Sequence, residues 1–132
     1  MISINKHIRN ILIQDLELKS LVEDKIYSVI IPEEVSNPVI LIEHLSNTRK
    51  YVKNNKATDE INVVIYTVAD DYVGSIDIAE RIDNILDCYV YETEDFKMTF
   101  RQNNTGESYI GDSSKSIEYL QRIEYKIIVD YK

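Results

Sequence analysis

The chain has 132 residues, is 44% apolar and 29% charged, and carries a formal charge of −8. That size suits a single domain, 1–132, with a core that needs neither disulfide nor metal, and the balance excludes a disordered chain. So acidic a protein is a poor candidate for gripping a nucleic-acid backbone, which demands a clustered positive surface.

The longest apolar run is far short of a membrane span. The start, Met1-Ile2-Ser3-Ile4-Asn5-Lys6, lacks a charged-then-apolar signal architecture, and the lone Cys88 cannot close an internal disulfide. A non-secreted protein is expected. Charge is unevenly spread: residues 49–56 contribute +4, which leaves −12 on the remainder.

Ser3 can cap a first helix in which Ile4, His7, Ile8, Ile11 and Leu12 recur on one side. Asp15 opens a short second helix that aligns Leu18, Leu21 and Val22. Ile26–Ile31 is a β-type run ended by Pro32. Pro38 can only open the next strand, Val39–Ser46, because it has no N–H to give a sheet. That strand is apolar on both faces and so predicts cover on both, the second supplied by a neighbouring subunit.

A basic connection, Asn47–Lys56, leads to a second strand, Ala57–Val68. The connection contains Arg49, Lys50, Lys53 and Lys56 and no acid. It reads either as a hairpin arm that contacts an acidic surface on another copy or a partner, or as a solvated lysine-rich loop. Asp71 or Ser75 can cap the following helix, whose Ile78, Ile82, Ile85 and Leu86 share a face. Asp77 and Arg81 stand in the favourable order for a weak surface pair.

A short strand at Asp87–Glu92 precedes Phe96, Met98 and Phe100, which alternate with Lys97, Thr99 and Arg101. Residues 102–116 are polar and long for a hairpin connection, and predict a mobile contact loop. Ile117–Tyr131 alternates cleanly, interrupted on its apolar face only by Gln121. Fully extended it would span about 50 Å, beyond the roughly 30 Å of a compact domain this size. It must bend, bulge, or find partners outside the domain. The expected fold is α+β: a mainly antiparallel sheet with helices packed on one face, a two-layer sandwich.

Candidate chemistry is sparse. His7 and His44 have no second His or Cys at ligand spacing, so structural roles are the better reading and no metal site is expected. Cys88 has acidic sequence neighbours, Asp87 and Glu92, which work against nucleophilic use; a buried structural thiol is expected. Glu33-Glu34 and Asp70-Asp71 fit turns and caps better than acid–base or Mg²⁺ chemistry. Gly106 and Gly111 miss the Lys-Ser/Thr that a phosphate loop requires. No enzymatic activity and no cofactor are expected. Among ten tyrosines, Tyr125 reads as core, whereas Tyr51 and Tyr109, in the two long polar connections, read as interface.

The order of these pieces resembles a known family. An amphipathic helix precedes Asp15-Leu16-Glu17-Leu18-Lys19-Ser20-Leu21-Val22 and Lys25-Ile26-Tyr27. There follow Asn37-Pro38-Val39-Ile40, a hairpin, Asn62-Val63-Val64-Ile65-Tyr66, and a helix with Ala79, Ile82, Ile85 and Leu86. Residues 3–87 are in this way similar to the tail-completion, or tail-terminator, proteins of tailed bacteriophages. Glu23-Asp24-Lys25 departs from the glycine that often precedes Ile-Tyr in such proteins. The resemblance implies a non-enzymatic virion subunit that forms a ring, commonly a hexamer, at the head-proximal end of the tail. The ring caps the tail tube protein, joins the head–tail connector protein, and lets DNA pass its lumen without specific binding. A head-side neck or stopper protein is an alternative of similar size. A small cytoplasmic α+β binding or regulatory module is another.

Overall fold

In a computed structural model, which describes residues 3–32, 34–51, 57–103, 107–112 and 117–132, the clean alternation of Ile117–Tyr131 becomes a single strand with a neighbour on each side along most of its length. The elements are α1 (Ile4–Ile13), α2 (Leu16–Val22), β1 (Ile26–Ser28), β2 (Val39–Tyr51), β3 (Ala57–Ala69), α3 (Tyr72–Leu86), β4 (Val90–Glu92), β5 (Phe96–Gln102), β6 (Glu107–Asp112) and β7 (Ile117–Tyr131). The strands form one sheet in the order β1-β2-β3-β7-β5-β4, with β6 also on β7. All pairs are antiparallel except β1–β2.

Two expectations drawn from this part of the sequence are corrected. β7 does not look outside the chain for partners: β3 pairs with 119–130 on one side, while β5 and β6 share the other. Residues 102–116 are not a loop throughout, because Gln102 ends β5 and Glu107–Asp112 is a strand paired with Ile117–Arg122. Polar composition does not preclude a strand, because the backbone of β6 pairs with β7 from Glu107 to Asp112.

One apolar cluster unites the helices with one sheet face. Ile8, Leu12, Leu18, Ile78, Ile82 and Leu86 from the helices meet Ile42, Val63, Ile65, Phe100, Tyr125 and Ile127 from the strands. Each fully buried side chain of this kind contributes about 1.5–3 kcal/mol, so this cluster dominates the stability. The face is odd-numbered on β3 and β7, and Asp59, Thr67 and Gln121 are its buried polar members.

A hydrogen-bond chain explains why Gln121 interrupts the apolar run. Ser108 Oγ donates to Gln121 Oε1 (2.6 Å), Gln121 Nε2 donates to Ser75 Oγ (3.1 Å), and Ser75 Oγ donates to the Tyr72 carbonyl (2.7 Å). A buried amide satisfied at both ends avoids the desolvation cost of an unpaired polar group and ties β6, β7 and α3 together. Tyr125 is core, as expected, and its hydroxyl donates to Asp83 at 2.7 Å. Burial and that carboxylate both hold its phenol protonated well above the usual tyrosine range.

The caps are local. Asp15 accepts from Leu18 N–H and Asp71 from Gly74 N–H, each satisfying an otherwise orphan donor. Gly74 belongs to the second cap: a Cβ there would lie 2.6 Å from Asp71 Oδ1. Ser3 stands at the N-cap of α1 but makes no side-chain capping bond. Arg81 does not pair with Asp77. It grips Asp15 through two bonds (2.9 and 2.5 Å) and reaches Glu17 at 3.0 Å, clipping the start of α2 to α3. Arg81 is the main reason the Asp15 carboxyl is held below its usual range, against the opposing effect of burial.

The second cover for β2 also comes from within the chain. Val39, Val64 and Val68, on the face away from the helix cluster, are buried in the single copy. Asn37, at the end of the segment between β1 and β2, donates to Asp70 and Glu118 and ties that segment to the ends of β3 and β7. β1 is shorter than the Ile26–Ile31 run suggests. Val29 has φ 74°, and Ile30 N–H donates back to the Ser28 carbonyl (2.9 Å), a γ-turn that leads the chain off β2 and leaves Val29 and Ile30 exposed.

Candidate functional site

The basic stretch lies in the distal half of the β2–β3 hairpin. Residues 47–51, expected to be connection, continue β2 and pair with 57–61. Lys53 and Lys56 lie outside the described residues. β1 accompanies β2 only as far as Ile42. From Glu43 to Tyr51 every residue of β2 is exposed, and among the described residues β3 is the only strand beside it.

A β-bulge decides what this half presents. Before it His44 faces Val63, and after it Ser46 faces Asn62, so Leu45 is the extra residue on β2 and is 46% exposed. Side chains alternate with period two, so one inserted residue exchanges the faces of everything beyond it. Even-numbered Ile40 and Ile42 face the helix cluster. Beyond the bulge, odd-numbered Arg49 takes that face and Lys50 takes the other.

Each basic residue therefore meets a different acid. Arg49 makes a forked pair with Asp59 (Nε–Oδ1 2.7 Å, Nη2–Oδ2 2.9 Å), while Tyr131 hydroxyl donates to the same carboxylate at 2.7 Å. The guanidinium also lies over the Tyr131 ring, 5.1 Å from its centroid. Asp59 is 1% exposed, and a carboxylate that deeply buried requires such partners. The Arg49 bonds hold its carboxyl below the usual range against the pull of burial, with the Tyr131 hydroxyl adding to the effect. Asp59 in turn keeps Arg49 protonated far above any accessible pH. Burial first, and then Asp59, raises the Tyr131 phenol.

On the opposite face Lys50 reaches Glu60 at 3.1 Å, and Lys126 binds the other oxygen of Glu60. Tyr51 ends β2 with 73% of its surface exposed. Tyr109 is far from this group: it stands in β6 opposite Leu120 of β7. The four described members of the predicted contact set thus divide. Arg49, Lys50 and Tyr51 share the distal hairpin, whereas Tyr109 is on the other side of β7. Asp59, Glu60 and Tyr131 were not singled out by sequence reasoning. Their signal was the hairpin register, in which 49 pairs with 59 and 51 with 57, but the bulge obscures it.

The remaining candidates are placed as follows. His7 is half-buried with its ring against Tyr91 and Phe96, a packing role. His44 is exposed, its Nε2 3.1 Å from the Ser46 carbonyl. Cys88 is a correction: the thiol is exposed rather than buried, at φ 64° just past α3, and Arg101 Nη1 donates to its sulfur at 2.8 Å. The turn that carries Cys88 lies at the end of the helix, outside the apolar stripe that would have buried it. Among the described residues, no group of three His, Cys, Asp or Glu side chains is arranged to hold a metal ion.

No protein-family model and no curated protein matches the sequence. Among solved structures, the fold matches a chain described as "Virion of native gene transfer agent (GTA) particle". The TM-score is 0.74 at 12% identity, and the match covers 93% of this chain and 91% of that one. At that identity the likeness is one of fold.

Proposed function

We propose that this chain is a virion structural protein: a ring-forming tail terminator that caps the tail tube and joins it to the head connector. The observation that carries the reading is the fold match to a virion chain across nearly the full length of both chains. The resemblance of residues 3–87 to tail-completion proteins supplies the finer assignment. In this reading the architecture is a two-layer sandwich with the helices as one layer, and the partners are further copies, the tube protein and the connector protein. The location is the tail or neck of the virion, and the role is non-enzymatic. DNA passes an acidic lumen that has no affinity for it, in keeping with the −8 charge.

Solution mass measured over a wide concentration range, followed by negative-stain imaging, tests the proposal. Rings with an open central channel are the expected result. A strict monomer at the highest concentration overturns it. A second reading, a small-ligand binding module, is favoured by one feature: a cleft of about 280 Å³ between α3 and β5–β7, lined by Ile76, Asp83, Gln121 and Arg122 among others. Its mixed lining is less apolar than is usual for ligand pockets.

A further inference from the structure

We propose that copies of this chain join head to tail, with the free edge of β2 in one copy lying along β4 of the next. This deepens the ring reading and rests on it. The strand order places β1 and β2 at one end of the sheet and β4 at the other. Residues 44–51, at the first end, contain Arg49 and Lys50 and no acid, and the sequence that follows adds Lys53 and Lys56. Residues 90–96, at the second, contain Glu92, Glu94 and Asp95 and no base, with Glu92 3.1 Å from Lys132. Opposite charges at opposite ends of one sheet are complementary between copies. Pairing β2 with β2, or β4 with β4, would set like charges together.

The backbone and the apolar surface agree with this assignment. Beyond Ile42 the outer N–H and C=O groups of β2 have no strand beside them among the described residues, and β4 ends the strand order on the other side. Such edges accept an added strand. Leu45 and Tyr51 are exposed on the first edge, Val90 and Tyr91 on the second. The in-chain partners of Arg49 and Lys50 do not use up these cations, whose side chains remain 44% and 64% exposed. The exposed Lys50–Glu60 pair is weak enough for a neighbour's carboxylates to compete, and Arg49 offers its exposed side while it holds the buried Asp59. Contact between two different edges is heterologous, and it closes into a ring where the rotation between copies permits.

Charge exchange tests the pairing. Lys50→Glu with Lys53→Glu, and separately Glu94→Lys with Asp95→Lys, should each weaken self-association about tenfold or more at low salt. The four changes together should restore it to within a few-fold of the original, with circular dichroism unchanged throughout. If the original chain assembles and both reversed variants assemble equally well, the edges are not the interface, although the ring reading stands. If the original chain never assembles, both fall. As a second measurement, Leu45→Cys chains mixed with Val90→Cys chains, each also carrying Cys88→Ser, should give a mixed disulfide on oxidation. Like-with-like products alone overturn the proposal.

Discussion

The two halves of the β2–β3 hairpin share strands and a pairing pattern, yet they are built to different ends. From Val39 to Ile42, β2 has β1 on one side and β3 on the other, and both of its faces are covered. From Glu43 to Tyr51 it has a strand on one side only and every residue is exposed. The first half is held by apolar burial. The second is held by the ladder and by ion pairs, chiefly the forked Arg49–Asp59 pair. Regions stabilised by few apolar contacts open more readily than cores, which makes the distal half the part of the molecule free to exchange in-chain partners for new ones.

Several changes would break or sharpen that contrast. The largest effect belongs to the proximal half: Ile42→Ala, in the shared core, should lower stability by about 2–5 kcal/mol, read as a lower urea midpoint at unchanged slope. Deleting Leu45 tests the distal ladder itself. The extra residue is on β2 alone, so its removal leaves Ser46 opposite Asn62 and Arg49 opposite Asp59. The distal half should keep its amide-exchange protection, and loss of protection confined to residues 46–51 and 57–62 would refute the register and the placing of Leu45 as its extra residue.

Asp59→Asn is smaller, about 1 kcal/mol once the exposure of Arg49 is allowed for. It should also flatten the acid limb of the stability curve. The folded-state values of Asp59 and Asp15 lie below their usual 3.8. The stabilisation is therefore complete above the unfolded value and is lost as pH falls through 3.8 toward the depressed folded values. Urea midpoints between pH 6 and pH 2 check the sign: the original chain should lose stability faster than the variant. Lys50→Ala is the smallest change, within about 0.5 kcal/mol. A larger cost would make the Lys50–Glu60–Lys126 group a structural element rather than a solvated one.

Several features were legible from residue pattern. α1 and α3 were readable because Ile4, Ile8 and Leu12, and Ile78, Ile82 and Leu86, recur at helical spacing and are all buried. β7 was readable because its alternation is almost unbroken. β6 was not, since the short run Glu107–Asp112 shows no apolar alternation in the sequence. Arg81 was assigned to its helical neighbour Asp77, but its partner is 66 residues away, and no local spacing rule reaches that far. The basic run was visible as charge and invisible as geometry.

The sequence by itself determined which faces of the helices and of β7 turn inward, because burial follows period and period is local. It also determined that four cations stand together without an acid among them. Only the tertiary structure decided what they face. The Leu45 bulge decides that Arg49 and not Lys50 takes the face of the helix cluster, and strand order puts the acidic Glu92–Asp95 turn at the far end of the sheet. Register and strand order arise from pairing between distant segments, and that information lies in no single stretch of the chain.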